Sequence, residues 1–309
     1  MTVQPSQLTD TVKLVAPSHG APMALQLALT RLNRERLSPA TPSESWRDDL
    51  LRVAQEALRE GAFLESERRA IAAQAALAPT DRDGFVAWFE ELRETGPGQF
   101  DPLFDYLAER APFEQVRWFV QQEVAGEAGF DDLVALTQLR LPEPAKLELA
   151  RNYWDEMGRG KPVGMHGPML MRLADAMGVR ATDPSRVVWE ALAVGNVLAG
   201  LAYNRRYAWH SFGALGAVEL TAPTRALKVV QALERVGIER EAVHYFRLHS
   251  TVDVVHWAGW RDEALIPLLD QQPQLTRPIA EGALMRLAAG ARSFERYRRE
   301  FGLDPRLQG

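Results

Sequence analysis

The chain has 309 residues, of which 46% are hydrophobic and 25% are charged, and its formal net charge at pH 7 is −5. Acidic and basic residues are interspersed, so the chain lacks the clustered basic face typical of nucleic-acid binders. It has no cysteine, which excludes disulfides, thiolate zinc sites, iron–sulfur clusters and cysteine nucleophiles. No apolar stretch reaches the ~18 residues of a membrane span, and no signal-peptide pattern opens the chain. We therefore expect a cytoplasmic protein without a nucleic-acid or membrane partner.

The hydrophobic pattern repeats every three to four residues along most of the chain, which predicts an all-α fold. Asp101 before Pro102 and Asp183 before Pro184 have the residue types of helix N-caps followed by N1 prolines. In chain order, the predicted helices are 21–36, 44–60, 64–77, 81–95, 102–111, 113–125, 130–139, 143–157, 165–178, 185–203, 206–219, 223–236, 239–258, 262–270 and 275–300.

Glycine and proline cluster in the stretch ETGPGQFDP at 94–102, which predicts a break between two parts of the chain. The part before the break contains one histidine, and the part after it contains five. We therefore predict N-terminal accessory helices at 1–98 and the functional domain at 99–309.

The stretch LHSTVDVVHWAGW at 248–260 places an aspartate between two histidines on the apolar side of a predicted helix. At about 100° per residue, His249, Asp253 and His256 fall within roughly 60° of one another. Buried ionisable groups need partners, and a metal ion would satisfy all three. A buried hydrogen-bond network is the alternative interpretation of this trio.

Three further residues stand in surroundings that call for a partner. Glycines and a proline separate Glu156 from His166, so an irregular backbone can bring their side chains together, and Glu219 lies in an Ala/Leu/Gly/Val-rich run. With the trio, the set contains three carboxylates and three imidazoles, which suits a pair of iron or manganese ions without thiolate. Our assignment places Glu156 as the bridge, His166, His249 and Glu219 on one ion, and Asp253 and His256 on the other.

The order Glu, a His ten residues later, a Glu about fifty further on, then His-x3-Asp-x2-His resembles the haem-oxygenase-like dimetal oxidases over about residues 100–270. The FDDLVALTQ stretch at 130–138 also resembles that family. It implies a haem-oxygenase-like helical bundle, commonly homodimeric, that binds two Fe(II) ions and no haem and uses dioxygen as cosubstrate. It also implies a further glutamate ligand from an earlier helix, for which Glu127 or Glu123 would serve.

The resemblance further implies oxidation of a small amino-acid-like metabolite in natural-product biosynthesis, by N-oxygenation, desaturation, ring closure or C–C cleavage. Two alternatives stay open: an oxidative decarboxylating lyase acting on an aliphatic acid, and a non-catalytic helical protein with a buried polar network. The candidates for substrate binding, each with a surface or packing role as its alternative, are Arg205, Arg206, Lys161 and His210.

Overall fold

The computed structural model describes residues 22–127, 129–179 and 183–303, and gives only the backbone for residues 126 and 127. Within these ranges it contains helices and no strand, which confirms the all-α class. The α-helices are α1 (Pro22–Leu37), α2 (Trp46–Ala70), α3 (Ala72–Ala75), α4 (Arg82–Thr95), α5 (Pro102–Glu109), α6 (Phe113–Glu127), α7 (Phe130–Thr137), α8 (Glu143–Glu156), α9 (His166–Ala176), α10 (Trp189–Tyr203), α11 (Ala208–Arg235), α12 (His244–Gly259), α13 (Ile266–Gln271) and α14 (Thr276–Glu300). None of these described helices is long and apolar enough to cross a membrane.

The two predicted N-caps have different outcomes. Asp101 accepts a hydrogen bond from the backbone N–H of Leu103 and begins α5 at Pro102, as predicted. Asp183 accepts from the N–H of Ser185, but it caps a short 3₁₀ turn at Pro184–Arg186. The prediction that α10 begins at 185 was therefore wrong, since its first residue is Trp189.

Two long helices continue through positions where the sequence predicted breaks. Helix α2 runs unbroken from 46 to 70, and α11 runs from 208 to 235 with Pro223 in its interior. A proline at this position removes the N–H that would bond to the carbonyl of Glu219. Because most side chains in the first half of α11 are buried, tertiary packing outweighs that local loss.

Helix α11 lies at the centre of the fold and packs closely against α14 through two glycines. A Cβ atom on Gly213 would lie 2.0 Å from the carbonyl oxygen of Ile279, and one on Gly282 would lie 1.8 Å from that of His210. Only glycine allows these two backbones to approach so closely. This contact fixes the position of the helix that carries Glu219.

The N-terminal helices share a hydrophobic core with the later ones. Leu29, Phe63 and Phe89, from α1, α2 and α4, belong to the same buried cluster as residues of α10, α11 and α14. The ring of Phe89 stacks on that of Trp257 in α12, with ring centroids 5.2 Å apart. The division at residue 98 stays a prediction, and the accessory helices support the helix that carries the histidine trio.

The connection between α8 and α9 is irregular, as the sequence predicted. Gly158, Arg159 and Gly160 all have positive φ, and Met157 forms an isolated antiparallel bridge with Met165. A Cβ atom on Gly158 would lie 2.4 Å from the backbone of Gly164, so the loop closes tightly only with glycine there. This closed loop brings the end of α8 next to the start of α9.

The glycine contact between α11 and α14 yields a prediction about stability. Gly282→Ala would force the two backbones apart, and we expect it to lower the free energy of unfolding by about 1–3 kcal/mol. The matched control is Gly61→Ala in α2, where an added Cβ meets no atom within 4 Å. We expect the control to raise stability by about 0.5–1 kcal/mol, because alanine is the better helix former. Thermal unfolding of both variants tests this, and equal melting temperatures would contradict it.

Candidate metal centre

The first part of the site lies where α8 ends and α9 begins. Glu156 is the last residue of α8 and His166 the first of α9, and both side chains are buried. Glu156 Oε2 and His166 Nδ1 are 2.6 Å apart. The His166 ring also meets the ring of His249 edge to face, with centroids 4.6 Å apart. The α8–α9 loop and α12 therefore bring these three side chains to one point.

Helix α12 supplies the histidine trio from one face, as the helical period predicts. Asp253 Oδ1 lies 2.9 Å from His249 Nδ1 and 3.9 Å from His256 Nδ1, so this carboxylate stands between the two imidazoles. His256 Nδ1 also lies 3.3 Å from Glu219 Oε2 on α11. All six side chains that the sequence singled out are therefore within one cluster.

The ligand atoms of the cluster form two overlapping groups, and Glu156 belongs to both. One group is Glu156, His166 and His249, and the other is Glu156, Glu219 and His256; in each, the ligand atoms lie within 4.8 Å of one another. The shared position is the one a bridging carboxylate would occupy. Glu219 groups with His256, whereas our assignment from the sequence placed it on the same ion as His166. Asp253 is in neither group and contacts both α12 histidines.

The polar atoms of the first group fit a metal ion better than they fit one another. Glu156 Oε1, His166 Nδ1 and His249 Nε2 are all buried, and none has a hydrogen-bond partner within the described part of the chain. The short His166–Glu156 contact thus lacks the direction of a hydrogen bond. Buried polar atoms are rarely left in this state, and a cation held between them would satisfy all three.

The ionisable side chains of the cluster shift one another's pKa values. Burial alone would lower the pKa of His249, but the Asp253 carboxylate and then Glu156 and Glu219 raise it to about 9. Burial would likewise lower the pKa of His256, and Glu219 together with other carboxylates raises it to about 10. For Glu156, burial is outweighed by its contact with His166 and by the charges of the other histidines, so its pKa is lowered and the carboxylate stays ionised.

Sequence reasoning missed two polar neighbours on α8. Asn152 donates from Nδ2 to Glu219 Oε1 at 2.7 Å, and Asp155 Oδ2 lies 3.4 Å from His256 Nε2. Asp155 is held in turn by Arg159, whose Nε is 2.6 Å from its Oδ1. Histidines that bind metals commonly donate their other N–H to a carboxylate, which is the position Asp155 has here. The i, i+3, i+4 spacing of Asn152, Asp155 and Glu156 was the available signal.

A cavity opens beside the cluster, against the buried phenylalanines of α5, α6, α12 and α14. Glu156, His166, Glu219, His249 and Asp253 line one side of it. The walls add Phe104, Phe119, Phe130, Phe246 and Phe294, and the charged side chains of Glu123, Asp131, Arg225 and Arg286. The cavity therefore places an apolar volume with a few charged groups directly against the candidate ligands.

The four residues predicted to bind substrate do not line this cavity. Lys161 is exposed on the α8–α9 loop, and Arg206 is exposed after α10. Arg205 donates to the carbonyl oxygens of Leu136 and Thr137 and so ties down the end of α7.

His210 is the fourth predicted substrate-binding residue, and Glu123 and Glu127 are the residues predicted as a possible extra metal ligand. His210 belongs to a separate polar cluster, where its Nε2 lies 3.0 Å from Glu281 Oε2. Glu123 lines the cavity, and its Oε1 accepts a hydrogen bond from Tyr297. The side chain of Glu127, the predicted extra ligand, lies outside the described residues.

Comparisons with known proteins identify the family and the fold. The family described as "Iron-containing redox enzyme" matches residues 117–291, which is more than half of the chain. A crystal structure of a CADD-like protein of unknown function from Nostoc punctiforme is similar at 20% identity and a TM-score of 0.56, over 69% of this chain and 95% of that one, which shows the fold. No curated protein matches the chain. The chain belongs to the iron-containing redox enzyme family.

Proposed function

We propose that the chain is a non-haem diiron oxidoreductase that uses dioxygen to oxidise a small metabolite. The observation that carries the proposal is the presence of Glu156 in both groups of candidate ligands. A carboxylate shared by two groups is how proteins hold two metal ions about 3.5–4 Å apart. A single-ion site or a purely structural network would not need the second group.

The proposed ligands are Glu156, His166, Glu219, His249, Asp253 and His256. Two ferrous ions, when bound, supply the electrons that reduce dioxygen. Three carboxylates leave the loaded site with net positive charge, which favours an anionic partner. Manganese suits the same oxygen and nitrogen ligands and is the alternative metal.

The protein's own contribution is to orient these ligands and to exclude water from them. The Asp155 carboxylate contacts His256 Nε2, and this contact determines which ring nitrogen of His256 faces the centre. Asn152 holds one oxygen of Glu219, which leaves the other oxygen directed at His256. The phenylalanines along the cavity wall keep the space beside the ligands apolar.

One alternative shares the same centre. An oxidative decarboxylating lyase acting on an aliphatic acid would also use two irons, and the phenylalanine-rich cavity wall favours an apolar substrate body. The third candidate, a non-catalytic protein with a buried polar network, accounts poorly for three buried polar atoms that lack hydrogen-bond partners in the described part of the chain. The homodimeric state, the cytoplasmic location and a role in biosynthesis stay predictions.

The shared carboxylate yields a prediction about metal content. We expect the wild-type chain to bind two Fe(II) ions under anaerobic conditions, and Glu156→Gln to lose both, because the amide removes the charge common to the two groups. His166→Gln should bind fewer than two ions. Metal analysis after gel filtration, together with oxygen consumption in the presence of candidate amino acids and fatty acids, measures the outcome.

The matched controls are Glu241→Gln and His244→Gln, which change the same residue types at exposed positions outside the cluster. Both controls should keep two ions and the wild-type rate of oxygen consumption. Wild-type protein that binds no iron, or a Glu156→Gln variant that keeps both ions, would rule out the proposed centre.

The raised histidine pKa values yield a prediction about pH. With pKa values of about 9 and about 10, His249 and His256 carry protons at pH 7 before metal binds. Metal binding requires neutral imidazoles, so it must release these protons. We expect affinity for Fe(II) or Mn(II) to rise with pH over the range from about 6 to about 9, and calorimetry in buffers of different ionisation enthalpy to detect proton release. Affinity that is independent of pH in this range would contradict the prediction.

A further inference from the structure

One charged residue of the cavity wall, Arg286, is buried although no carboxylate among the described side chains pairs with it. Arg286, on α14, is 7% exposed and lines both the main cavity and a smaller one adjoining it. No carboxylate among the described side chains lies within 4.0 Å of its guanidinium, and its Nε is buried without a hydrogen-bond partner. A buried arginine is normally paired, because an isolated charge in an apolar environment is strongly destabilising.

The structure makes room for this side chain. Gly290 lies one helical turn after Arg286, and a Cβ atom there would lie 2.7 Å from Arg286 Nη1. Glu123 lines the same two cavities, but its Oε1 accepts the hydrogen bond of the Tyr297 hydroxyl. The glycine therefore accommodates a guanidinium that the described protein groups do not neutralise.

We propose that Arg286 binds the carboxylate of the substrate, and that the enzyme acts on carboxylic acids whose apolar part rests on the phenylalanine wall. This inference rests on the proposed function, since it assigns the substrate class of the same cavity. Arginine presents paired N–H donors that match the two oxygens of a carboxylate.

The surrounding charges favour a carboxylate over a more highly charged anion. The carboxylates of Glu123 and Asp131, which lie outside the ligand set, bring negative charge to the cavity wall and would repel a phosphate dianion. Arg225 is the second arginine of the wall, and its Nη2 donates to Thr221 Oγ1 at 3.2 Å. A singly charged group facing Arg286 balances the site with the least repulsion.

The test compares each acid with its amide, which lacks the negative charge of the carboxylate. Acetate, hexanoate, L-leucine and L-phenylalanine, each with its amide, and inorganic phosphate are titrated by anaerobic calorimetry into the metal-free and the Mn(II)-loaded chain. We expect the wild-type enzyme to bind at least one acid about ten-fold or more tightly than its amide, since a charge-assisted pair is lost with the amide. Arg286→Gln should reduce that ratio to about one, and Arg286→Lys should restore part of it.

The matched control is Arg296→Gln, also on α14, whose side chain pairs with Glu300 outside the cavity; it should keep the wild-type ratio. Gly290→Ala retains the charge of Arg286 but displaces its guanidinium, so it should weaken acid binding several-fold. This variant tests the same inference if Arg286→Gln folds poorly. A merely structural arginine would lower the melting temperature when replaced, whereas we expect Arg286→Met to keep or raise it.

The results separate this inference from the proposed function. Metal content is measured on the same samples, and Arg286→Gln should still bind two ions. A wild-type chain that binds no metal overturns the diiron centre. Three outcomes overturn the role of Arg286 and leave the diiron centre standing. The wild-type chain binds two ions but no acid of the panel, or Arg286→Gln keeps the wild-type preference for acids over amides. The third is tighter binding of phosphate than of every acid.

Discussion

The buried carboxylate of Glu156 is the group on which the arrangement of the site depends. It is 2% exposed, it approaches the imidazole of His166, and it belongs to both groups of candidate ligands. An ionised carboxylate in such a position is stable only if positive charge surrounds it. Protonated histidines can supply that charge before metal binds, and metal ions can supply it afterwards. Protons and metal ions therefore compete for the same side chains.

The fold holds these ligands in place through glycines, which let neighbouring backbones and side chains approach the ligand helices closely. Glycines allow α11 to meet α14, and Gly259 lets α12 approach Glu148 on α8, where a Cβ atom would lie 2.1 Å from a carboxylate oxygen. Directly after α12, residues Trp260–Leu265 wind as a π-helix, with Trp260 buried against Gly216 of α11. The ligand helices are therefore fixed at their crossings, which keeps their side chains aimed at one point.

Local patterns in the sequence were sufficient to predict that these six side chains lie together. His249, Asp253 and His256 share a face by helical period alone, and the glycines after Glu156 signalled the turn that brings it to His166. How the six candidate ligands divide between the two groups was not predictable, because the side of the cluster that Glu219 faces depends on how α11 crosses α12. Helix continuity through Pro223 also escaped prediction, since tertiary burial outweighed a local breaking signal.

The residues predicted to bind substrate do not line the cavity, for a related reason. Arg205 and Lys161 are near the ligands in sequence, but the cavity wall is completed by α6 and α14, which are distant along the chain. Arg286 lies on a helix with many arginines, and it differs from them in being buried and in having no carboxylate among the described side chains within 4.0 Å. Proximity along the chain identifies neighbours on one helix, whereas a cavity between helices is defined by their packing.

Anomalous diffraction at the iron edge from an anaerobically loaded crystal is the decisive test of a diiron centre at Glu156. We expect two iron peaks about 3.5–4 Å apart, with the Glu156 carboxylate between them and His166 and His256 on opposite ions. A single peak, no peak, or iron bound away from these side chains would contradict it.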